Sequence, residues 1–154
     1  MNEKFMKLAI HEAVMNINRG GGPFGAVIVK NGKMISCCAN RVVKENDPTA
    51  HAEILAIREA SAVLGNWDLS ECEIYSSCEP CPMCLGAIYW ARIPVIYYGA
   101  NRKDAKGAGF DDSAIYNEMA KNPVDRKIKM VNILSEKAAE AFDKWLKFPG
   151  KERY

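Results

Sequence analysis

The stretch CEIYSSCEPCPMCLGAIYWARIPVIYYGA, residues 72–100, carries the pattern that decides the fold. Its first six residues predict a short strand. Residues 82–92 predict a helix, because Pro82 is tolerated in a first helical turn. Residues 94–100 are a continuous apolar run, which is typical of a strand in the middle of a covered sheet. Strand, helix and strand in this order predict a parallel pair joined by a right-handed crossover.

The flanking sequence predicts a hairpin and five further elements. Asn31-Gly32 lies between two β-branched runs, which is a strong hairpin signal. The helix after the hairpin is expected to be capped by Asp47 or Thr49 and ended by Gly65. In chain order the additional predicted elements are a helix over 3–18, strands over 24–30 and 33–40, helices over 47–65 and 111–121, a last strand over 127–134 and a last helix over 135–148.

This order of elements predicts an α/β fold. A hairpin followed by alternating helix and strand implies a three-layer α/β/α sandwich with a mixed central sheet, in which the later strands are mostly parallel. A length of 154 residues fits one domain over 1–154. Residues 135–154 form its C-terminal helix and tail.

Composition argues against several classes of protein. The net charge of +2, from 21 basic and 19 acidic residues, is too balanced for a polynucleotide-binding domain. No apolar run approaches the roughly 20 residues of a membrane span, and the start shows no signal-peptide pattern. We therefore expect a cytoplasmic protein without nucleic-acid or membrane partners. In that compartment the six cysteines favour a metal site or catalysis over disulfides.

Two cysteines and one histidine form a candidate metal site. Cys81 and Cys84 stand three residues apart at a helix start and therefore face the same way, as metal ligands or a redox dithiol do. His51 is a third candidate ligand, and Glu53 follows it. The pattern HAE at 51–53 with PCPMC at 80–84 resembles the signature of zinc nucleobase deaminases. Three protein ligands leave one tetrahedral zinc position open, which is typical of a catalytic site.

Other interpretations of these residues remain. His51 and the cysteines can be core residues, or Cys78 can complete a purely structural zinc site, although Glu53 then has no task. On an ideal helix His51 and Glu53 point in nearly opposite directions, so they share a cavity only if the site caps the helix end. The remaining cysteines, at 37, 38 and 72, are expected to be core thiols.

The resemblance extends beyond the metal motifs. Segments 21–32, 46–58, 76–92 and 109–119, with ERY at 152–154, resemble the bacterial guanine deaminases of the cytidine deaminase superfamily. The resemblance implies zinc-dependent hydrolysis of guanine to xanthine and ammonia, in purine catabolism or salvage. It also implies a homodimer, in a family known for exchanging C-terminal segments between subunits.

The same resemblance implies a role for each site residue. Zinc is held by His51, Cys81 and Cys84, and Glu53 is the catalytic proton shuttle. The substrate-binding residues that it implies are Phe24, Asn40, Ala52, Trp90, Asp112 and Tyr154. A carboxylate suits guanine, which offers N1–H and an amino group, whereas adenine has no N1–H. Phe24 and Trp90 are equally compatible with core positions.

Three alternative functions share parts of this pattern. A tRNA adenosine deaminase has the same zinc motifs, but it needs a basic surface to hold an RNA loop. A deaminase of another small amino-purine or triazine base would differ only around the pocket. A zinc-stabilised binding module without catalysis would need neither the open zinc position nor Glu53.

Overall fold

The structure, a computed structural model, describes residues 2–154. The elements are α1 (Glu3–Ile17), β1 (Gly25–Lys30), β2 (Lys33–Ala39), α2 (Val42–Glu45), α3 (Ala52–Leu64), β3 (Cys72–Cys78), α4 (Pro82–Trp90), β4 (Val95–Ala100), α5 (Arg102–Gly107), α6 (Ser113–Met119), a 3-10 turn (Pro123–Asp125) and α7 (Ser135–Lys147). They group into two compact units, one up to Asp112 and the other Ser113–Tyr154. The prediction of a single domain over the whole chain stays a prediction.

The first unit contains a mixed four-stranded sheet in the order β2-β1-β3-β4. β1 runs antiparallel to both β2 and β3, whereas β4 runs parallel to β3. The parallel pair is joined through α4, as the pattern of 72–100 predicts. Both residues of the Asn31-Gly32 turn have positive φ, 51° and 71°, which suits a tight hairpin. The predicted α/β class with a mixed sheet is confirmed.

Helices cover both faces of this sheet because side chains alternate along the central strand. Ala26 and Ile28 of β1 belong to a buried cluster with residues of α3 and α4. Val27 and Val29 belong to a second cluster with residues of α1. α1 lies so close to the sheet that a Cβ at Gly25 would overlap the carbonyl oxygen of Ala9. The result is the predicted layer order of helix, sheet and helix.

The predicted cap of α3 is wrong. The helix begins at Ala52, with His51 rather than Asp47 or Thr49 as its N-cap residue. Asp47 instead accepts hydrogen bonds from the backbone N–H and the hydroxyl of Thr49, both at 2.7 Å. These bonds close a separate turn before the helix. Gly65 ends α3 with φ 62°, as predicted.

The predicted central position of the strand over 94–100 is also wrong for this unit. β4 lies at the edge of the sheet, and Val95 and Tyr98 are exposed. An apolar run of this length predicts a strand covered on both faces, but it does not specify whether a further strand lies beside it.

The second unit contains α6, the 3-10 turn and α7, and none of its residues is buried. The strand predicted over 127–134 is absent from the described structure, where these residues form no ladder. A strand needs a neighbour for its hydrogen bonds, and this unit offers none. α7 presents Phe142, Trp145 and Leu146 at helical spacing, all exposed.

Within residues 2–154, every helix is too short or too polar to span a bilayer.

Candidate active site

The starts of two helices bring the predicted metal ligands together. His51 is the N-cap residue of α3, and Cys81 is the N-cap residue of α4, both with extended backbone. Pro82 and Cys84 both lie in the first turn of α4, and Cys84 is three residues after Cys81. Because His51 precedes the first helical turn, its side chain is not bound to the helical spacing that would point it away from Glu53. The site therefore caps the ends of both helices.

The spacing of the three ligand atoms fits zinc. His51 Nδ1 lies 3.6 Å from Cys81 Sγ and 3.5 Å from Cys84 Sγ. All three ligand atoms lie within 4.8 Å of one another. A zinc ion about 2.3 Å from sulfur and about 2.0 Å from nitrogen, with tetrahedral angles, sets these atoms about 3.5 Å apart. Among residues 2–154, this is the one group of His, Cys, Asp and Glu with such spacing.

The electrostatics of the group prepare Cys81 for a cation. A hydrogen bond from Cys84, with His51 adding to it, lowers the pKa of Cys81 to about 4. The same bond raises the pKa of Cys84, and the contact with Cys81 raises the pKa of His51. Cys81 is thus a thiolate at neutral pH, at the positive end of α4. A bound zinc ion would bring Cys84 to the same state.

Glu53 lies beside the ligands in the first turn of α3 and is 5% exposed. Its Oε1 accepts a hydrogen bond from Ser76 Oγ at 3.0 Å, and its Oε2 lies 3.5 Å from Cys84 Sγ. Burial raises the pKa of Glu53. A carboxyl group with a raised pKa is suited to take a proton and return it near neutral pH. Glu53 is outside the ligand group, which leaves it available for that task.

Phe24 and Asn40 lie on the face of the sheet that packs against α3, the helix that contains Glu53. The register of β1 pairs Ala26 with Ser76, whose hydroxyl bonds Glu53. Alternate residues of a strand share a face, so Phe24 continues that row. Asn40 stands opposite Phe24, with its N–H bonded to the Phe24 carbonyl at 3.0 Å. Both predicted base contacts are therefore placed on the side of the metal site.

The side chain of Asn40 has a fixed orientation. It is 7% exposed, and its Oδ1 accepts a hydrogen bond from the backbone N–H of Val42 at 3.2 Å. Because Oδ1 is used in this way, the NH₂ group is the part of Asn40 left to donate to a base. Ala52, fully buried, is the first residue of α3, where backbone N–H groups have no helical partner.

Asp112 is held by an ion pair. Arg102 Nε lies 3.2 Å from Asp112 Oδ1, and the backbone N–H of Arg102 donates to Glu79 Oε2 at 3.2 Å. Glu79 lies two residues before Cys81, so this chain of contacts connects Asp112 to the loop that carries the metal ligands.

Trp90 does not lie at the ligand group, and Tyr154 lies outside the unit that contains it. Trp90 is the last residue of α4, about 9 Å along the helix axis from Cys84, and is 67% exposed. Tyr154 belongs to the second unit and is 74% exposed. Their roles at the site stay predictions, as do those of the other substrate-binding residues.

A cavity of about 400 Å³ lies on the other side of Phe24. α1 lines it with Ile10, Ala13, Val14 and Ile17, and Phe110 packs edge-on to Phe24 with ring centroids 4.9 Å apart. The lining is mostly apolar and includes none of the three metal ligands. This cavity is therefore separate from the metal site.

Sequence reasoning missed three polar residues that support the site: Ser76, Glu79 and Arg102. Ser76 holds Glu53, and Glu79 and Arg102 hold Asp112. A signal for Arg102 was present, because functional side chains often follow the carboxyl end of a parallel strand such as β4. No motif marks Ser76, since its partner is 23 residues away.

Comparison with known proteins gives a family for these features. Residues 1–100 match the model of the cytidine and deoxycytidylate deaminase zinc-binding region. The chain is 49% identical to guanine deaminase of Bacillus subtilis over 154 residues, which is 99% of each chain. It is 36% identical to tRNA-specific adenosine deaminase of Aquifex aeolicus over 145 residues, covering 94% of this chain and 93% of that protein.

Solved structures show the same similarity as the sequences. The crystal structure of guanine deaminase from Bacillus subtilis superimposes with a TM-score of 0.96 at 50% identity, covering 100% of this chain and 99% of the other. A complex of another protein with 2,6-diaminopurine superimposes with a TM-score of 0.68 at 37% identity, over 70% of this chain and 61% of that chain. The similarity thus includes both compact units in the first structure.

Proposed function

The chain belongs to the cytidine and deoxycytidylate deaminase zinc-binding family, and we propose that this enzyme hydrolyses guanine to xanthine and ammonia. The observation that carries the proposal is 49% identity to a guanine deaminase over 99% of both chains. Similarity to a tRNA-specific adenosine deaminase is lower, at 36%. A net charge of +2 also offers little attraction to an RNA loop.

Zinc is the proposed cofactor, held by His51, Cys81 and Cys84. The support is the spacing of these three donors and the thiolate character of Cys81. When bound there, zinc supplies Lewis acidity that makes water nucleophilic near neutral pH. All six cysteines are free thiols, which suits a cytoplasmic location.

Glu53 moves the protons of the reaction. It takes one proton from the water that attacks C2 of guanine and delivers it to N3. It then takes a second proton from the hydroxyl group now on C2 and passes it to the amino group, the C2–N bond breaks, and ammonia leaves. Ser76 fixes one oxygen of Glu53, and the other oxygen, 3.5 Å from Cys84 Sγ, is the one that carries the proton. The sum is guanine plus water giving xanthine plus ammonia.

The remaining residues orient the base. The NH₂ group of Asn40 donates to an acceptor on the purine, and the backbone N–H of Ala52 donates from the start of α3. Asp112 accepts from N1–H and the amino group of guanine. Arg102 keeps that carboxylate in place. Adenine offers no N1–H, so this set of contacts favours guanine.

A panel of substrates tests the reaction. We expect ammonia release from guanine and less than about 1% of that rate from adenine, because a site built to bond N1–H discriminates strongly against a base without it. Cytosine and guanosine complete the panel. The measurement is initial ammonia release at equal enzyme concentration. A tRNA anticodon hairpin is included as well. Release from the hairpin and not from guanine would replace this proposal with the tRNA deaminase.

A homodimer with exchanged C-terminal segments is the proposed assembly. Within the second unit no residue is buried, and its exposed apolar side chains include Ile128, Val131, Ile133, Leu134, Phe142 and Trp145. So much apolar surface in one short segment is typical of an interaction site. The strand predicted over 127–134 also needs a neighbour. A second copy of the chain would supply both.

A complementation experiment tests the exchange. We co-express two differently tagged chains, one with Glu53→Gln and one with Tyr154→Ala, and purify the mixed dimer through both tags. If Tyr154 closes the partner's pocket, one of the two sites is complete, and the mixed dimer has about half the wild-type activity. Each variant homodimer is measured alongside and is expected to be strongly impaired. A mixed dimer no more active than the homodimers contradicts the exchange.

A further inference from the structure

Asn16 is a buried polar residue that the proposed chemistry does not use. It lies in the last turn of α1 and is 5% exposed. Its Nδ2 donates hydrogen bonds to the carbonyl oxygen of Gly22 at 2.8 Å and to that of Asn40 at 2.7 Å. An amide NH₂ group has two donors, and both are satisfied here. One side chain thus bonds the loop before β1 and the residue that follows β2.

These bonds belong to a closed ring. The backbone N–H of Phe24 donates to the same Gly22 carbonyl at 2.8 Å, and the N–H of Asn40 donates to the Phe24 carbonyl at 3.0 Å. Asn16 closes the ring through Gly22 and Asn40. Every other member takes part through its backbone. The ring therefore sets the backbone of Asn40 relative to that of Phe24.

The chain passes so close to Asn16 that glycine is required. A Cβ at Gly21 would lie 2.8 Å from Asn16 Cγ and would overlap its Nδ2. A Cβ at Gly22 would lie 3.3 Å from Cγ and Oδ1 of Asn40. Both contacts are tighter than ordinary van der Waals packing. Small residues at 21 and 22 are thus part of the same arrangement.

We propose that Asn16 is a positioning residue, which holds the peptide of Asn40 so that its side-chain NH₂ meets the purine base. This inference rests on the proposed function, in which Asn40 contacts guanine. The bond at 2.7 Å fixes the Asn40 carbonyl, and Val42 fixes Oδ1, so the side chain has little freedom. Without Asn16, the Gly22 carbonyl oxygen keeps the N–H of Phe24, but the buried Asn40 carbonyl oxygen loses this donor and its peptide rotates to find another. Misplacement of a binding group by about 1 Å can cost up to about 100-fold.

Kinetics of two independent variants test the proposal. Asn16→Ala removes both donors, and Gly21→Ala displaces the amide sterically without removing it. We expect each to raise KM for guanine about 10- to 100-fold, to change kcat less than about threefold and to leave zinc content unchanged. A role in folding alone would lower the melting temperature without this split between KM and kcat.

The matched control removes a hydrogen bond at the other end of α1, where Tyr75 of β3 contacts the N-cap residue Asn2. Tyr75 accepts a hydrogen bond from the backbone N–H of Asn2 at 3.1 Å, so Tyr75→Phe loosens α1 without touching the ring. We expect Tyr75→Phe to lower the melting temperature and leave KM within about twofold. An equal rise of KM in Tyr75→Phe would overturn the proposal, because any loosening of α1 would then have the same effect.

A double-mutant cycle with Asn40→Ala separates this inference from the proposed function. If Asn16 acts through Asn40, Asn16→Ala raises KM less than about threefold in the Asn40→Ala background. Effects that multiply in full overturn the role of Asn16 alone and leave the base contact of Asn40 standing. A wild-type KM in Asn40→Ala overturns the base contact itself and this inference with it.

Discussion

Glu53→Gln is expected to retain one zinc ion per chain and to lose turnover by about 10³-fold, within the range attributed to general acid–base groups. Glutamine keeps the shape of glutamate and can still accept the hydrogen bond from Ser76. It cannot take a proton from water or return one to the base. Because Glu53 lies outside the His51, Cys81 and Cys84 group, its replacement leaves the donors intact. The measurements are kcat from ammonia release and zinc by elemental analysis.

Glu59→Gln is the matched control for this result. Glu59 lies on the same helix and accepts a hydrogen bond from Cys38 Sγ at 3.0 Å, away from the ligand group. We expect the kcat of Glu59→Gln to stay within about twofold of the wild type, as for a surface substitution outside the site. Zinc-replete Glu53→Gln protein with wild-type kcat contradicts the assignment of Glu53 as the proton shuttle.

Local signals explain which parts of the fold were predictable. The Asn31-Gly32 turn, the glycine end at Gly65 and Pro82 in the first turn of α4 all depend on residues adjacent in sequence. Such signals fix where elements begin and end. The α/β class followed from such signals, whereas the family followed from the resemblance carried by HAE at 51–53 and PCPMC at 80–84. Both are confirmed by the comparisons.

Strand neighbours were not predictable in the same way. Residues 94–100 and 127–134 both have the apolar pattern of a strand, yet β4 is an edge strand and 127–134 forms no ladder in its unit. The apolar pattern indicates which side chains gain stability from burial. The pattern does not indicate which chain provides the neighbouring strand, and a partner subunit could provide it as well as the same chain.

The residues of the site likewise fall into those that the sequence predicts and those that only the fold reveals. Metal ligands carry a specific chemistry at a short, fixed spacing, so Cys81 and Cys84 were visible in the sequence. Asn16 and Ser76 are ordinary polar residues whose partners are 24 and 23 positions away. Their importance depends on burial and on the groups they meet, which only the fold establishes.

Cys84→Ser is expected to reduce zinc to less than about a tenth of an ion per chain and to abolish turnover. Cys84 is fully buried, with its Sγ 3.5 Å from His51 Nδ1. A serine hydroxyl does not ionise as a thiol does, and zinc ligands must be deprotonated. Because a metal bound only by the folded state stabilises it, the melting temperature should fall as well. A chelator should then lower the melting temperature of the wild type but not that of the variant.

Cys78→Ser distinguishes this open site from a structural one with four protein ligands. Cys78 is buried three residues before Cys81, but its Sγ lies 3.8 Å from the Asn101 carbonyl and outside the ligand group. We expect this variant to keep one zinc ion per chain and more than about half of the activity, because three ligands and an open position remain. Zinc loss in Cys78→Ser as severe as in Cys84→Ser would instead make Cys78 the fourth ligand. The metal would then have no open position, and Glu53 would have no water to activate.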